Sequence, residues 1–327
     1  MQRNLLRLAI VLIAAVLAPV TLISAAGAVP EQEVDERLTF MRQDASGFWQ
    51  VWVSDADLSG ARQLTSGRAS SGWPVWSPDG QSIAFDSDRS DPDPDDDQYV
   101  YDVFVMRADG TGVVNLTGGV GGSGDPAWSP DGRSIAFQSD QGTGPQGIFV
   151  MQRDGTGVRQ VTAAPEGAFD GAPRYSPDGD RLIFTRYDDR GGAALFTVQA
   201  SGEQLRQITP FAIGAGDAHW SPDGKRIVFE AYPSPTSRGD VYVVRDDGSG
   251  LRNLTDNAAT NGSSDPVWLP DGKRMLFLQG IRNGDEFVLG LATMRASGAQ
   301  RAFLSSDPVE SHQPDWHAGL AGPSGRG

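Results

Sequence analysis

The chain has 327 residues, with 41 glycines, 21 prolines, no cysteine and a formal net charge of −15 at pH 7. Without cysteine it has no disulfide, thiolate metal site, thiol nucleophile or acylated lipoprotein cysteine. The negative charge argues against a nucleic-acid partner, because affinity for phosphate backbones comes from Lys and Arg. The many turn residues and the lack of long helical periodicity indicate an all-β protein that is stabilised by packing alone.

The N-terminal segment predicts an export signal. Arg3 and Arg7 supply its positive end, residues 8–20 its apolar stretch, and residues 26–28 the small side chains for cleavage. The apolar run is also long enough for an uncleaved membrane anchor. Polar and small residues in its second half favour cleavage, so we expect an extracytoplasmic protein that is secreted, periplasmic or on the cell surface. The predicted organisation is a signal peptide or anchor (1–28), a short linker (29–37), a repeat domain (38–317) and a flexible C-terminal tail (318–327).

One phrase, an aromatic residue followed by Ser-Pro-Asp-Gly or Leu-Pro-Asp-Gly, recurs along the chain. Its copies begin at Trp76, Trp128, Tyr175, Trp220 and Trp268, so they repeat every 45 to 52 residues. A repeat of this length with short strands is typical of β-propeller blades. We expect the repeated aromatic residue to pack between blades, and we assign the Pro-Asp-Gly turn a structural role.

Each copy continues with three further strands. In the copy that starts at Trp128 they are Ile135-Ala-Phe137, Ile148-Phe-Val150 and, after an Asp-Gly-Thr-Gly turn, Arg159-Gln-Val-Thr162. These segments are rich in β-branched and aromatic residues and are bounded by turn formers. The sequence therefore predicts a six-bladed β-propeller of four-stranded antiparallel blades.

The two ends of the domain complement each other. The first copy, which begins at Leu38-Thr-Phe40, lacks an aromatic strand, whereas a lone aromatic strand ends at Trp316, 48 residues beyond Trp268. We predict that the C-terminal strand pairs with the N-terminal blade and closes the ring, which leaves no open sheet edge.

The connections divide into two faces of the disc. In an up-and-down blade, alternate connections lie on opposite faces. The Pro-Asp-Gly and Asp-Gly-Thr-Gly turns share one face, which we call the uniform face. The loops between second and third strands share the other face with the links between blades, and these vary in length and chemistry. We expect this variable face to bind.

The longest insertion on the variable face is acidic and predicts a calcium site. Carboxylate oxygens are the ligands that Ca²⁺ prefers. A single acidic loop that is merely solvated is the alternative. The candidate ligands are Asp88, Asp91, Asp93, Asp95 and Asp97.

A second acidic set is predicted at the mouth of the central channel. Asp125, Asp217 and Asp265 stand three residues before their blade aromatic, and Asp170 stands two residues further upstream in its own blade. They could hold a cation or a cationic side chain. The alternative is that Asp before Pro only initiates a turn. In the two remaining blades the position is occupied by Trp73 and by Gln313, which has His312 beside it.

The segment from Trp128 to Thr162 resembles the TolB-like β-propeller repeat, and the resemblance extends over about Leu38 to Trp316. It implies the fold more than the function, because such repeats occur in periplasmic TolB, in peptidases and in carbohydrate-active enzymes. TolB carries an additional N-terminal domain that does not fit before the first strand here. The Gly-x-Ser-x-Gly elbow of the propeller peptidases is missing.

The expected function is non-catalytic binding of a protein or ligand through the acidic variable face. The partner would be an envelope or extracellular protein or a small ligand, and the protein would be a monomer with calcium as an optional cofactor. The alternative is a cation-dependent hydrolase or lyase acting in the channel, for which His312 is the best catalytic candidate. We expect His219 to be an ordinary packed histidine.

Overall fold

Each repeat folds into an antiparallel sheet of four short strands. The computed structural model describes residues 37–55, 59–91, 100–119, 121–142, 144–234, 236–256, 262–283, 286–304 and 311–317, and it describes the backbone alone at 282–283, 286–289, 311–314 and 316–317. The strands in these residues form six such sheets. The protein is therefore an all-β, six-bladed propeller. The predicted signal segment 1–28 lies outside the described residues.

The sheets follow one another along the chain. The strands of the first three blades are β1 (Arg37–Gln43), β2 (Trp49–Asp55), β3 (Arg62–Gln63), β4 (Ser71–Trp76), β5 (Ser82–Ser87), β6 (Asp102–Arg107), β7 (Val114–Asn115), β8 (Ser123–Trp128), β9 (Ser134–Ser139), β10 (Gly147–Gln152) and β11 (Arg159–Gln160). The remaining strands are β12 (Phe169–Tyr175), β13 (Arg181–Tyr187), β14 (Ala193–Gln199), β15 (Arg206–Gln207), β16 (Ala215–Trp220), β17 (Arg226–Ala231), β18 (Asp240–Arg245), β19 (Arg252–Asn253), β20 (Ser263–Trp268), β21 (Arg274–Asn283), β22 (Glu286–Arg295), β23 (Ala302–Phe303) and β24 (Ser311–His317).

The strand order is the same in every blade. Blades 2 to 6 consist of β4–β7, β8–β11, β12–β15, β16–β19 and β20–β23, each in sequence order from the inner strand outward. The first sheet, blade 1, has the order β24-β1-β2-β3, and its β1 pairs antiparallel with β24, Leu38 standing opposite Trp316. Among the described residues the helical structure is the 3₁₀ turn Phe211–Ile213, and none of it is long and apolar enough to cross a membrane.

The core lies between neighbouring sheets. Trp128 of blade 3 packs with Val75, Ala84 and Val103 of blade 2, which confirms the prediction that the repeated aromatic packs between blades. Three of these aromatic rings are also covered by a guanidinium group from the preceding blade, 4.5 to 4.9 Å from the ring centroid: Arg37 over Trp76, Arg181 over Trp220 and Arg226 over Trp268. Apolar burial and cation–π contact thus act together at the seams.

The repeated turn on the uniform face has a local structural cause. In blade 2, Ser77 Oγ donates a hydrogen bond of 2.6 Å to Asp79 Oδ1, which also accepts from the Gln81 backbone N–H. Gly80 takes the positive φ of 64° that the next strand requires. The turn aspartate is therefore engaged in the turn itself.

The inner strands of blades 2 to 6 each carry a β-bulge. At the bulge two residues oppose one on the neighbouring strand, as between Gly72 and Val75 against β5. One residue of each bulge has a left-handed backbone, with φ between 43° and 51°: Trp73, Asp125, Ala172, Asp217 and Asp265. Asp adopts this conformation readily, whereas a bulky tryptophan there is uncommon.

A cross-strand pair on the two inner strands differs between blades. In blade 2 it is Ser71 and Ser87, whose hydroxyls lie 3.1 Å apart. In blade 4 it is Asp170 and Arg186, whose side chains are buried. The guanidinium group donates two hydrogen bonds to the carboxylate, of 2.6 and 2.8 Å. Blade 4 thus replaces a neutral pair with a buried, bidentate ion pair.

Removing one partner of this ion pair should destabilise the propeller. We expect Asp170→Asn to lower the free energy of unfolding by about 3–5 kcal/mol, because Arg186 then remains buried without a counter-charge. The double variant Asp170→Ser/Arg186→Ser, which recreates the pair of blade 2, should lose much less. Urea unfolding of the three proteins measures both values. A double variant no more stable than the single one would contradict this role for the pair.

Candidate functional site

Three carboxyl groups of blades 5 and 6 meet on the variable face. Asp217 on β16, Glu230 on β17 and Asp265 on β20 each offer an oxygen within 4.8 Å of the others. Glu230 Oε2 accepts a hydrogen bond of 3.2 Å from the Asp265 backbone N–H. All three lie near the strand ends from which the variable loops and blade links emerge. We call this group the carboxyl cluster.

Burial and mutual repulsion keep a proton on the cluster. Glu230 is only 8% exposed. Its burial raises the pKa of the carboxyl group well above the usual range, and the negative charges of Asp217 and Asp265 raise it further. Glu230 therefore holds its proton to higher pH than an exposed glutamate does. A cation placed among the three groups would favour the ionised form.

An aromatic cavity adjoins the cluster. It has a volume of about 540 Å³, and Glu230 lies in its wall together with Tyr187, Phe211 and Tyr232. Burial raises the pKa of both tyrosines, and nearby carboxylates raise it further. The phenols thus stay protonated. The cavity combines aromatic surface with one acid, Glu230, and one base, Arg190. Aromatic surface beside the carboxyl cluster suits an organic cation or a cationic side chain.

A second cavity, which we call the blade 2–3 cavity, lies between those blades and has a volume of about 290 Å³. The side chains that line it include Trp73, Asp86, Tyr101, Asp125, Gln138 and Gln146. Asp86 Oδ2 accepts a hydrogen bond of 3.1 Å from the Asp125 backbone N–H, and Asp125 Oδ2 accepts one of 3.3 Å from the Ala172 backbone N–H. Carboxyl groups thus link β5, β8 and β12 of three successive blades in series.

These two carboxyl groups are also hard to ionise. Burial raises the pKa of Asp86 to about 8, and the negative charge of Asp125 contributes to the rise. Burial likewise raises the pKa of Asp125, although the Arg174 guanidinium opposes this shift. A cation in the blade 2–3 cavity would stabilise the ionised form of these carboxyl groups, so the cavity is a second candidate site for a cation.

The structure divides the predicted channel-mouth residues into separate groups. Asp217 and Asp265 come together in the carboxyl cluster, whereas Trp73 and Asp125 line the blade 2–3 cavity. Asp170 lies with neither group, because its carboxylate is bound to Arg186 within blade 4.

Other predicted residues are described only in part. His312 lies on β24 opposite Met41, and its side chain is outside the described part. In the acidic insertion, Asp91 Oδ2 accepts a hydrogen bond from the Val100 backbone N–H. The other candidate calcium ligands Asp93, Asp95 and Asp97 fall outside the described residues. Asp88 and Asp91 join no described group of three potential metal ligands, so the calcium site of this loop stays a prediction.

The sequence analysis singled out neither Glu230 nor Asp86 as a site residue. Asp86 belongs to strand β5, just before the acidic insertion. Both acids directly follow the buried phenylalanine of a second strand, Phe85 or Phe229. The sequence signal that could have identified both residues is an acid at this position of an otherwise apolar strand.

His219 lies on β16, two residues from Asp217, and it belongs to no group of three potential metal ligands among the described residues. Its burial, with a smaller contribution from the Arg174 charge, lowers the pKa of the imidazole to about 3. The ring is therefore neutral at physiological pH, in keeping with a packed histidine.

Known proteins are similar to this chain in sequence or in fold. A peptidase described as uncharacterized, YuxL of Bacillus subtilis (strain 168), is 33% identical over 94 residues, which are 29% of this chain and only 13% of that protein. TolB from Acinetobacter baumannii superposes with a TM-score of 0.66 and 22% identity, over 86% of this chain and 66% of that one. An oligogalacturonate lyase from Vibrio parahaemolyticus gives a TM-score of 0.56 and 15% identity, over 83% and 72% of the two chains. At such identities the structural matches establish the fold alone.

The family comparison agrees with the repeats. Residues 163–318 match the family model described as PD40, the TolB beta propeller domain. The sequence resemblance to TolB-like repeats is confirmed, and the chain is a six-bladed β-propeller whose residues 163–318 match the TolB beta propeller domain.

Proposed function

We propose that this propeller is an exported, non-catalytic binding protein whose variable face holds a cationic group of a partner. The observation that carries the proposal is the carboxyl cluster of Asp217, Glu230 and Asp265, with its oxygens within 4.8 Å of one another. Export is supported by the signal-like segment 1–28, and we propose a monomer that works outside the cytoplasm.

The electrostatics of the cluster support a cation as the ligand. The chain carries a net charge of −15, which attracts cations over distance and steers them to the acidic face. At the cluster a cation would relieve the repulsion that raises the pKa of Glu230. The adjoining Tyr187 and Tyr232 supply aromatic surface for an organic cation. A lysine or arginine side chain of a partner protein meets both requirements, because it is an organic group that carries a positive charge.

Neutralising the cluster should weaken this binding. We expect Asp217→Asn/Glu230→Gln/Asp265→Asn to weaken binding of a pentalysine peptide about tenfold or more, because the charge pairs are lost in a poorly solvated site. Binding to the unaltered protein should tighten as pH rises, because the peptide competes with the proton on Glu230. Fluorescence anisotropy of a labelled peptide measures both effects.

The matched control carries the same number of amide substitutions on the uniform face, at Asp109, Asp154 and Asp247. These residues are exposed in their turns. If the two triple variants bind the peptide equally well, the affinity comes from net charge and the cluster is not the site.

The second candidate function is a cation-dependent hydrolase or lyase with its active site in the channel. The same three carboxyl groups favour it, since hard cations prefer oxygen ligands. Within the described residues no histidine joins this cluster, which favours binding over transition-metal catalysis. Elemental analysis of protein purified without chelator separates the two candidates, because a stoichiometric transition metal would favour the enzyme.

We further propose that the C-terminal strand closes the ring of blades. The proposal is supported by the pairing of β24 with β1 and by the contacts of β24 with the inner strands β20 and β4. In addition, Asp315 Oδ2 accepts a hydrogen bond of 2.8 Å from the Trp76 backbone N–H of blade 2. This contact joins residues 239 positions apart.

Removing the closing strand should open the ring. We expect deletion of residues 311–327 to lower the melting temperature by roughly 10 °C or more and to promote self-association, because an inner strand edge is exposed. Deletion of residues 318–327 alone, which keeps β24, is the control and should melt like the full chain. Calorimetry and size-exclusion chromatography of both deletions test this. Equal melting of the two deletions would refute closure by β24.

A further inference from the structure

We propose that the blade 2–3 cavity binds a primary alkylammonium group, with Asp86 as its counter-charge and Trp73 as its aromatic wall. This site is separate from the carboxyl cluster, since it is built from blades 2 and 3 instead of blades 5 and 6. The two proposals can therefore fail independently.

An unpaired buried carboxyl oxygen is the first observation. Asp86 is 4% exposed and lines the cavity. Its Oδ1 makes no hydrogen bond of good geometry within the described residues, and a contact with the Gly72 backbone N–H lowers the pKa of the carboxyl group. Its Oδ2 is already bound to the Asp125 backbone N–H. A buried oxygen without a well-aligned donor is costly, so a ligand that donates to Oδ1 gains free energy on binding.

The charge of the site specifies a cation. Asp125 on β8 faces Asp86, and Asp88 lies near Asp86 in the loop that follows β5. The negative charges of both residues disfavour ionisation of Asp86. The nearby cations are otherwise engaged: Arg174 acts on Asp125, and Arg89 donates hydrogen bonds to the Ser71 and Ser87 hydroxyls. An ammonium group in the cavity would supply the missing positive charge for Asp86.

The walls select an organic cation over a bare metal ion. Trp73 and Tyr101 contribute aromatic faces, on which an ammonium group is favoured by cation–π attraction. Gln138 and Gln146 offer amide oxygens that can accept the remaining N–H donors. A volume of about 290 Å³ accommodates an alkyl chain as well as its charged end.

The position of Trp73 points the same way. It occupies the left-handed bulge position, with a φ of 44°, where blades 3, 5 and 6 have Asp125, Asp217 and Asp265. A bulky side chain is strained in this conformation. Blade 2 accepts this strain and places an indole against the acidic cavity, at a position where three other blades have an aspartate.

The test is isothermal titration calorimetry of the full propeller chain with two probes. The first probe is 1,5-diaminopentane, and the second is the peptide acetyl-Gly-Lys-Gly-amide, so that a free amine and a lysine side chain are compared. Binding of either probe supports the proposal, and the tighter one identifies the source of the amine. Affinity should rise from about pH 6 to about pH 9, with protons released into the buffer as Asp86 ionises. The absence of binding by both probes in the unaltered protein would overturn the proposal.

Two variants locate the binding. We expect Asp86→Asn to lose about tenfold to a hundredfold in affinity and to lose the proton release, because the charge-assisted hydrogen bond is gone. Asp86→Asn should melt no lower than the parent, since it removes a buried acid that is repelled by Asp125. Trp73→Leu should lose several-fold in affinity through the missing cation–π contact while keeping the proton release.

Asp109→Asn makes the same substitution on the uniform face, and it is the control that should bind like the parent. In Glu230→Gln, whose carboxyl cluster is altered, the part of the binding that depends on Asp86 should remain, which separates this site from the carboxyl cluster. Parent-like affinity in Asp86→Asn, or an equal loss in Asp86→Asn and Asp109→Asn, would overturn the assignment.

Discussion

The seams between blades depend on how the bulged inner strands satisfy their backbone N–H groups. A β-bulge leaves one residue without a partner in its own sheet, and a buried N–H without an acceptor is costly. This chain uses carboxyl groups of the preceding blade as the acceptors. Asp86 accepts from Asp125, Asp125 from Ala172, and Glu230 from Asp265. The blades are thus joined by acids as well as by apolar side chains.

The carboxyl groups that accept these hydrogen bonds also determine the electrostatics of the variable face. Acids that bind backbone groups across a seam are buried and lie close to other acids, so ionising them is difficult. Burial and repulsion accordingly raise the pKa of Asp86 and Glu230. A cation relieves both costs at once. The binding that we propose at this face would therefore follow from the contacts that join the blades, and it would be coupled to proton release.

Much of this architecture is predictable from the sequence, because a repeated blade forces equivalent residues into equivalent places. The period of the aromatic residue gives the blades, and it places Asp125, Asp217 and Asp265 together at one position of the inner strand. Asp170 breaks the pattern by two residues, which places it before the bulge and opposite Arg186 on the neighbouring strand. The sequence shows this offset. It does not show that Arg186 is the partner of Asp170, because the partner depends on the cross-strand register.

The grouping of the acids was not predictable in the same way. It depends on which side chain of a second strand extends to the neighbouring blade. The repeat period of the sequence does not identify that side chain. Glu230 joins Asp217 and Asp265 because it follows Phe229 on β17, where blade 6 has Leu278. In a single sequence, a residue that varies among otherwise similar blades gives no sign that it has a functional role. Here it decides where the negative charge is concentrated.

The most direct test of this account is a carbon-detected NMR titration of the Glu230 carboxyl group, assigned by its loss in Glu230→Gln. The account predicts an apparent pKa well above the ordinary glutamate value of 4.5, and a fall in that pKa when pentalysine peptide is added. A carboxyl group that titrates near its ordinary value and ignores the peptide would contradict it.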